Sequence, residues 1–409
     1  MRTVRLRRDR QQWIFDWLVK ETGRVFHWDQ EGRGDLPATV KSHRMISKHL
    51  GKRALRQERI AREEEEAGHT ETAMDFYFMA AATFAAAQHP VMEDDSDEKA
   101  FLHGRSLACY DKVMQYAPHP IERVEVPWEG VNIQCNLHLL PDRRRAPCVI
   151  FIPGCDMTKE MYPPPRLNHA LQRGMHLLVM DGPGQGMSNL RQIRLTADNY
   201  ERAGSAVIDY LRSRPEVDAD NIGVLGISFG SFWGMRLAAH DPRVKACAAP
   251  LASYVDKYYL LDEFSPRYKQ LFAYLTGAAS EEELDGIVAG MTMDGHTQNI
   301  RCPVLMTVGE YDARSPIELI YDLFDQVRAP KELWVFEDQF HMTTLFGAGN
   351  IGQMDIHMVA LDWLRDAMAG RFGPGHTRRL YLQVGSGGPN AKDVSPRSAR
   401  RWWEDGSGE

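Results

Sequence analysis

The sequence predicts an α/β fold, a mostly parallel sheet with helices on both faces, joined to a mainly helical N-terminal region. Three observations predict it. From Cys148 onward, short apolar runs of strand length alternate with helix-length amphipathic runs, the pattern of successive β-α units. Before about residue 120 the pattern is mainly helical. At Asn221–Gly230, NIGVLGISFG, a strand-like run breaks at a glycine-flanked serine and a helical run follows. The chain of 409 residues is long enough for two domains. The expected division is a helical cap region over 1–120, a sheet-bearing region over 121–374 and a tail over 375–409. An insertion at about 254–299 interrupts the second region as a lid.

Composition narrows the function classes. The net charge is −7, so no global basic surface argues for nucleic-acid binding. No apolar run approaches about 18 residues, so no membrane span is expected. The start, MRTVRLRRDRQQW, is basic and leads into polar residues, which reads as a solvated start or short arm and not a secretory signal. The six cysteines are scattered without a C-x-x-C pair, so neither a disulfide framework nor a structural zinc site is expected. A reducing, cytoplasmic setting fits.

In chain order, Trp13, Ile14, Trp17 and Leu18 share a face of a first helix. His43–Arg62 is highly charged and is followed by Glu63–Glu66, which suggests an exposed, solvated helix. Thr70–Gln88 is far more apolar, with Phe76, Tyr77, Ala81 and Phe84 available to a core, and Pro90 ends it. Residues 91–97 read as an acidic loop, and Glu98–Tyr116 as a helix packing through Phe101, Leu107, Tyr110 and Val113. Arg123–Pro127 and Val131–Leu139 form a hairpin around Glu129-Gly130. Strands follow at Cys148–Ile152, His176–Met180, Asn221–Leu225, Val244–Ala249, Pro303–Val308 and Glu332–Phe336. Helical runs fall near Pro165–Arg173, then at Asp198–Ser213, Ser231–Ala239, Glu318–Gln326 and Asp355–Met368. Leu380–Val384 is available as one more edge strand, and Trp402-Trp403 as an anchor.

The chemistry centres on Gly226-Ile227-Ser228-Phe229-Gly230. A strand, a tight glycine-flanked turn and a helix make a nucleophile elbow, G-x-S-x-G. The serine needs a base, and the base needs an orienting acid, each on a loop after a later strand. Asp312 follows PVLMTVG and His341 follows ELWVF. Glu310 and above all Asp338 are rival acids, and His296 and His357 rival bases. The backbone N–H groups of Phe229 and Cys155 are the expected oxyanion donors. Asp181-Gly182-Pro183-Gly184-Gln185-Gly186 follows a strand, but its glycine spacing is not G-x-G-x-x-G, so no nucleotide is expected.

With these residues in place the chain resembles the α/β-hydrolase superfamily. It is similar to the branch that contains 2,6-dihydroxypseudooxynicotine hydrolase and fungal pigment polyketide-shortening hydrolases. The likeness rests on GCDMTKE, LLVMDGPGQG, GISFGS, YDARSP and the histidine loop, and spans residues 60 to 370. It implies a Ser228–Asp312–His341 triad, no metal or organic cofactor, a helical cap and a homodimer. It also implies hydrolysis of a carbon–carbon bond beside a carbonyl in a polyketide-like or aromatic small molecule. Ester or lactone hydrolysis and acyl transfer use the same triad and stay open, as does a non-catalytic binding role. One relative uses an extra acidic residue in its pocket, for which Asp256, Asp262 and Glu263 are the candidates here. Asp338-Gln339-Phe340-His341 departs from the common D-G-x-H-type histidine loop, which changes the shape beside the base.

Overall fold

The structure is a computed structural model. It describes residue 40 and residues 43–251, 261, 266–312, 314–337, 339–341, 355–383 and 390–393. The expected helix at Trp13–Leu18 and the pair Trp402-Trp403 lie outside the described residues. Among the described residues, no helix is long and apolar enough to cross a membrane.

Among the described residues three helices come first: α1 (His43–Glu66), α2 (Thr70–Gln88) and α3 (Asp97–Tyr116). They pack on one another around Tyr77, Ala81, Phe84, Leu102 and Tyr110. The charge of α1 predicts an exposed helix, yet Ala54, Gln57, Glu58 and Ala61 are buried. Their spacing of three and four puts them on one face, and Arg105 of α3 pairs with Glu58. The expected packing of Phe101 is also corrected, since this side chain is 53% exposed. The inward stripe of α3 is Leu102, Ser106, Cys109, Tyr110 and Val113, a phase that leaves Phe101 on the outer side. Ser96 starts the helix, accepting a hydrogen bond from the Lys99 amide.

The sheet begins with the hairpin β1 (Ile121–Trp128) and β2 (Val131–His138), and both turn residues, Glu129 and Gly130, have positive φ. It continues through β3 (Ala146–Ile152), β4 (His176–Met180), β5 (Val217–Gly226), β6 (Val244–Ala249), β7 (Val304–Gly309), β8 (Lys331–Phe336), β9 (Thr377–Gln383) and β10 (Asn390–Asp393). The strand order is β1-β2-β4-β3-β5-β6-β7-β8-β9-β10. Pairing is parallel from β4 through β9 and antiparallel at both margins. The run at Leu380–Val384 thus enters the sheet as β9, from Thr377, with β10 outside it.

Alternate side chains of the central strands β3 and β4 enter opposite cores. Cys148, Ile150 and Ile152 of β3 join the cluster with α6 (Asn199–Arg212), α7 (Phe229–His240) and α10 (Ile317–Gln326). Val149 and Phe151 join the opposite cluster with α4 (His169–Gln172) and α11 (Asp355–Met368). The helix α4 is shorter than the run expected near Pro165–Arg173. Pro163, Pro164 and Pro165 carry no N–H, and the helix starts only once Asn168 Oδ1 accepts from the Leu171 amide at 3.1 Å. α5 (Gly186–Leu190), α8 (Pro266–Thr276) and α9 (Glu281–Ala289) complete the helices used below.

Phe84 is fully buried among the helices. Phe84→Ala is expected to cost about 3–5 kcal/mol in chemical unfolding, whereas Phe101→Ala is expected to change stability by no more than about 0.5 kcal/mol.

Candidate active site

The parallel register brings the chemistry-bearing loops to one edge. Ile152 of β3 stands beside Gly226 of β5, and Gly309 of β7 beside Phe336 of β8. Whatever follows these strands therefore emerges together at their carboxyl ends. Ser228 lies two residues past β5, Asp312 three past β7 and His341 five past β8.

Ser228 has φ 56° and ψ −124°, a left-handed conformation that a non-glycine residue adopts only under constraint. The constraint is the approach of α7 to the strand ends. A Cβ on Gly230 would lie 2.1 Å from the Ile152 carbonyl oxygen, and one on Gly226 would lie 2.0 Å from the Gly230 carbonyl oxygen. Only glycine permits both contacts, which explains the pentapeptide. The turn is held by Ile227 N–H to the Ile152 carbonyl at 3.1 Å and Ser228 N–H to the Pro250 carbonyl at 3.3 Å. Ser231 Oγ also donates to the Ser228 carbonyl at 2.6 Å.

Ser228 Oγ and His341 Nε2 are 2.7 Å apart, and His341 Nδ1 and Asp312 Oδ2 are 2.6 Å apart. Asp312 Oδ1 accepts from the Arg314 amide at 2.9 Å. The histidine loop folds back onto β7, where a Cβ on Gly309 would lie 2.0 Å from the Phe340 carbonyl oxygen. Tyr311 N–H donates to the Gln339 carbonyl at 2.9 Å, tying the acid loop to the base loop. Burial lowers the His341 pKa, the Arg314 guanidinium lowers it further, and Asp312 opposes both. This arrangement favours a neutral imidazole able to accept a proton from a hydroxyl.

Three of the alternative acids and bases go elsewhere. Glu310 accepts a hydrogen bond from Tyr381 of β9. His357 packs against Phe151 and Tyr162 on the opposite side of the sheet. His296 precedes a short turn at Thr297–Asn299 that packs against α7. Asp338, Asp256, Asp262 and Glu263 lie outside the described residues.

The two expected amide donors flank the serine. Phe229 is the first residue of α7, so its amide is among those a helix leaves unbonded at its N-terminus. Cys155 follows Gly154, whose Cβ position is 3.5 Å from Ser228 Cβ. Gln185 Nε2 donates to the Gly154 carbonyl at 2.7 Å and to the Pro153 carbonyl at 3.3 Å. Because the peptide unit is planar, fixing the Gly154 carbonyl also fixes the direction of the Cys155 N–H. Tyr200 holds Gln185 in turn, its hydroxyl donating to Oε1 at 2.5 Å. The glycine-rich segment after β4 thus braces this loop. Phe229 contacts Phe272 of α8 edge to face at 5.0 Å, so the insertion reaches the elbow.

Sequence reasoning missed a buried ion cluster behind the same loop. Lys159 Nζ sits 2.9 Å from Asp181 Oδ2 and 2.6 Å from Glu160 Oε1, with all three side chains fully buried. Asp181 also accepts from the amides of Lys159 at 2.8 Å and Met187 at 2.9 Å, and Thr158 Oγ1 donates to Glu160 at 2.8 Å. These residues sit in GCDMTKE and LLVMDGPGQG, the segments that carried the resemblance. The short turn Lys159–Met161 bearing them contacts α2, α3 and β2.

The family described as Esterase FrsA-like matches residues 45–276, more than half of the chain. The chain is 29% identical over 304 residues to the 2,6-dihydropseudooxynicotine hydrolase of Paenarthrobacter nicotinovorans, covering 74% of this chain and 78% of that protein. It is 30% identical over 223 residues to the alpha/beta hydrolase xenA of Xenoacremonium sinensis, covering 52% of this chain and 51% of the relative. The match therefore spans about half the length of such fungal relatives. A crystal structure of 2,6-dihydroxy-pseudo-oxynicotine hydrolase superposes with a TM-score of 0.70 at 26% identity, covering 88% of this chain and 99% of that one. The α/β-hydrolase fold and the branch resemblance expected from the motifs are both borne out.

Replacing Lys159 with methionine would leave Asp181 and Glu160 buried without their cation. Lys159→Met is expected to destabilise the protein by roughly 3–5 kcal/mol, read as a fall in the midpoint of chemical unfolding.

Proposed function

The chain belongs to the FrsA-like esterase family, and on that premise we propose that it is a serine hydrolase of carbonyl compounds, with Ser228 as nucleophile, His341 as general base and Asp312 orienting the imidazole. One observation carries this reading. The continuous Ser228–His341–Asp312 hydrogen-bond run ends on a serine held at a strained strand-to-helix turn.

In the proposed reaction His341 Nε2 takes the Ser228 proton as Oγ bonds to the substrate carbonyl carbon. The carbonyl oxygen becomes an oxyanion held by the Phe229 and Cys155 amides. One such donor is worth about 10²–10³ in rate. Collapse of the adduct breaks the bond to the leaving group and leaves an acyl-serine. His341 then activates water, which releases the acid and restores the Ser228 proton. Asp312 stabilises the imidazolium throughout without taking its proton.

The leading substrate class is a β-dicarbonyl compound of polyketide-like or aromatic character. Its second carbonyl lets the departing carbon leave as an enolate, which the His341 imidazolium or water protonates. Carboxylic ester hydrolysis by the same residues is the second reading, favoured by the description of the family as esterases. A product screen separates the two, pairing β-diketones with simple esters and using Ser228→Ala as control. Two carbon-skeleton fragments from a diketone support the first reading. Ester turnover with intact diketones supports the second. Ser228→Ala is expected to lower either activity by on the order of 10⁴-fold or more, and undiminished turnover would overturn the nucleophile assignment.

The base acts only when neutral. Because burial and Arg314 lower the His341 pKa, kcat/KM is expected to persist below the ordinary histidine range and to fall as pH drops through the lowered value. Arg314→Gln removes a lowering influence, so the acidic limb of the kcat/KM profile is expected to move to higher pH.

A further inference from the structure

One motif of the sequence takes no step in the reaction above. Asp181-Gly182-Pro183-Gly184-Gln185-Gly186 lacks the glycine spacing of a nucleotide loop, and its glycines make room for side chains instead. A Cβ on Gly182 would lie 2.2 Å from Tyr200 Cζ, and one on Gly186 would lie 2.1 Å from Asp181 Oδ2. Tyr200 therefore lies across the segment, and its hydroxyl reaches Gln185 Oε1 at 2.5 Å.

Both ends of the Gln185 amide are committed. Oε1 accepts from the Tyr200 hydroxyl, and Nε2 donates to the carbonyls of Gly154 at 2.7 Å and Pro153 at 3.3 Å. The amide has one orientation, since turning it over would set Oε1 against two carbonyl oxygens. Burial holds the Tyr200 phenol well above its ordinary pKa, so it stays a donor. The Gly154 carbonyl has one further donor, the Met157 amide at 3.1 Å. Tyr200 stacks on Trp233 of α7 at 5.1 Å, and Trp233 meets Phe229 edge to face at 5.8 Å. All four side chains are buried. This chain of contacts joins the peptide that carries one expected oxyanion donor, the Cys155 N–H, to the residue that carries the other.

We propose that Gln185, held by Tyr200, is a positioning residue for the oxyanion hole, keeping the Cys155 N–H aimed at the tetrahedral adduct and at a fixed spacing from the Phe229 N–H. The proposal rests on the reading of Ser228 as nucleophile. The peptide before Cys155 follows a glycine, whose backbone imposes little direction of its own, so a side chain supplies it. A donor fixed in advance acts on the charge that develops as Oγ bonds to the carbonyl carbon. It therefore lowers the barrier without tightening the binding of substrate.

The test measures hydrolysis of p-nitrophenyl butyrate and inhibition by trifluoroacetophenone, with active sites counted by fluorophosphonate titration. In the inhibited enzyme Ser228 Oγ bonds to the ketone carbon, the carbonyl π pair becomes the oxyanion and the hydroxyl proton passes to His341. Gln185→Met keeps the length of the side chain and removes both donors. Its kcat is expected to fall by about 10²-fold, with KM held within about twofold. Trifluoroacetophenone is expected to bind it about 10²-fold more weakly. Tyr200→Phe removes one hydroxyl, is expected to lower kcat by about tenfold, and serves if Gln185→Met does not fold. The double variant is expected to be no slower than Gln185→Met alone, because Tyr200 acts through Gln185. The acidic limb of the kcat/KM profile is expected to stay in place, because neither residue carries a charge that acts on His341. Unchanged kcat in folded Gln185→Met, a loss confined to KM, or losses that multiply in the double variant would overturn the positioning role. Turnover that survives in Ser228→Ala, or a wild-type enzyme that neither hydrolyses the ester nor binds the ketone, would instead overturn the nucleophile reading.

Discussion

The approach of α7 to the end of β3 is the contact on which the rest of the site depends. Gly230 lies so near the Ile152 carbonyl that any side chain there would strike backbone. That closeness forces Ser228 into positive φ and lifts its hydroxyl off the strand end. It also sets the serine against Gly154, and so against the loop with the second expected oxyanion donor. The 2.7 Å approach of His341 follows from a similar compression at Gly309, where the histidine loop crosses backbone on backbone. Strain at the serine is thus held by packed strand ends on either side.

A second layer holds the loop that the reaction would use. Gln185 fixes the peptide before Cys155, Tyr200 fixes Gln185, and Tyr200 stacks on Trp233 of α7 at 5.1 Å. Beneath the loop, Lys159 gathers Asp181 at the end of β4 and Glu160 beside the helical layer. An ion cluster with no solvent exposure contributes little net stability over an apolar replacement, but loss of one member is costly. Its effect here is geometric, since it locks helices, sheet edge and loop in one arrangement.

Much of this was legible in the sequence because it depends on order and strand ends. The alternating β-α runs gave the sheet, and Ser228, Asp312 and His341 fell in order on loops past predicted strands. What periodicity could not supply was rotational phase and pairing across long separations. Phe101 and Leu102 are adjacent and both apolar, and only packing against α2 decides which turns inward. The charge of α1 hid a narrow alanine stripe. Lys159 and Asp181 lie in separate segments with no local signal that they meet. Gln185 lay within a run judged for its glycines, while its side chain does the positioning. The candidates for an auxiliary acid, Asp256, Asp262 and Glu263, fall outside the described residues and remain an expectation of the resemblance.

Covalent trapping shows whether Ser228 carries the acyl group. The purified protein would be treated with a fluorophosphonate, digested, and the adduct located by peptide mass spectrometry. A single stoichiometric adduct on Ser228 is expected, formed far more slowly in His341→Ala. An adduct on a different residue, with Ser228 unmodified while hydrolytic activity is lost, would contradict it.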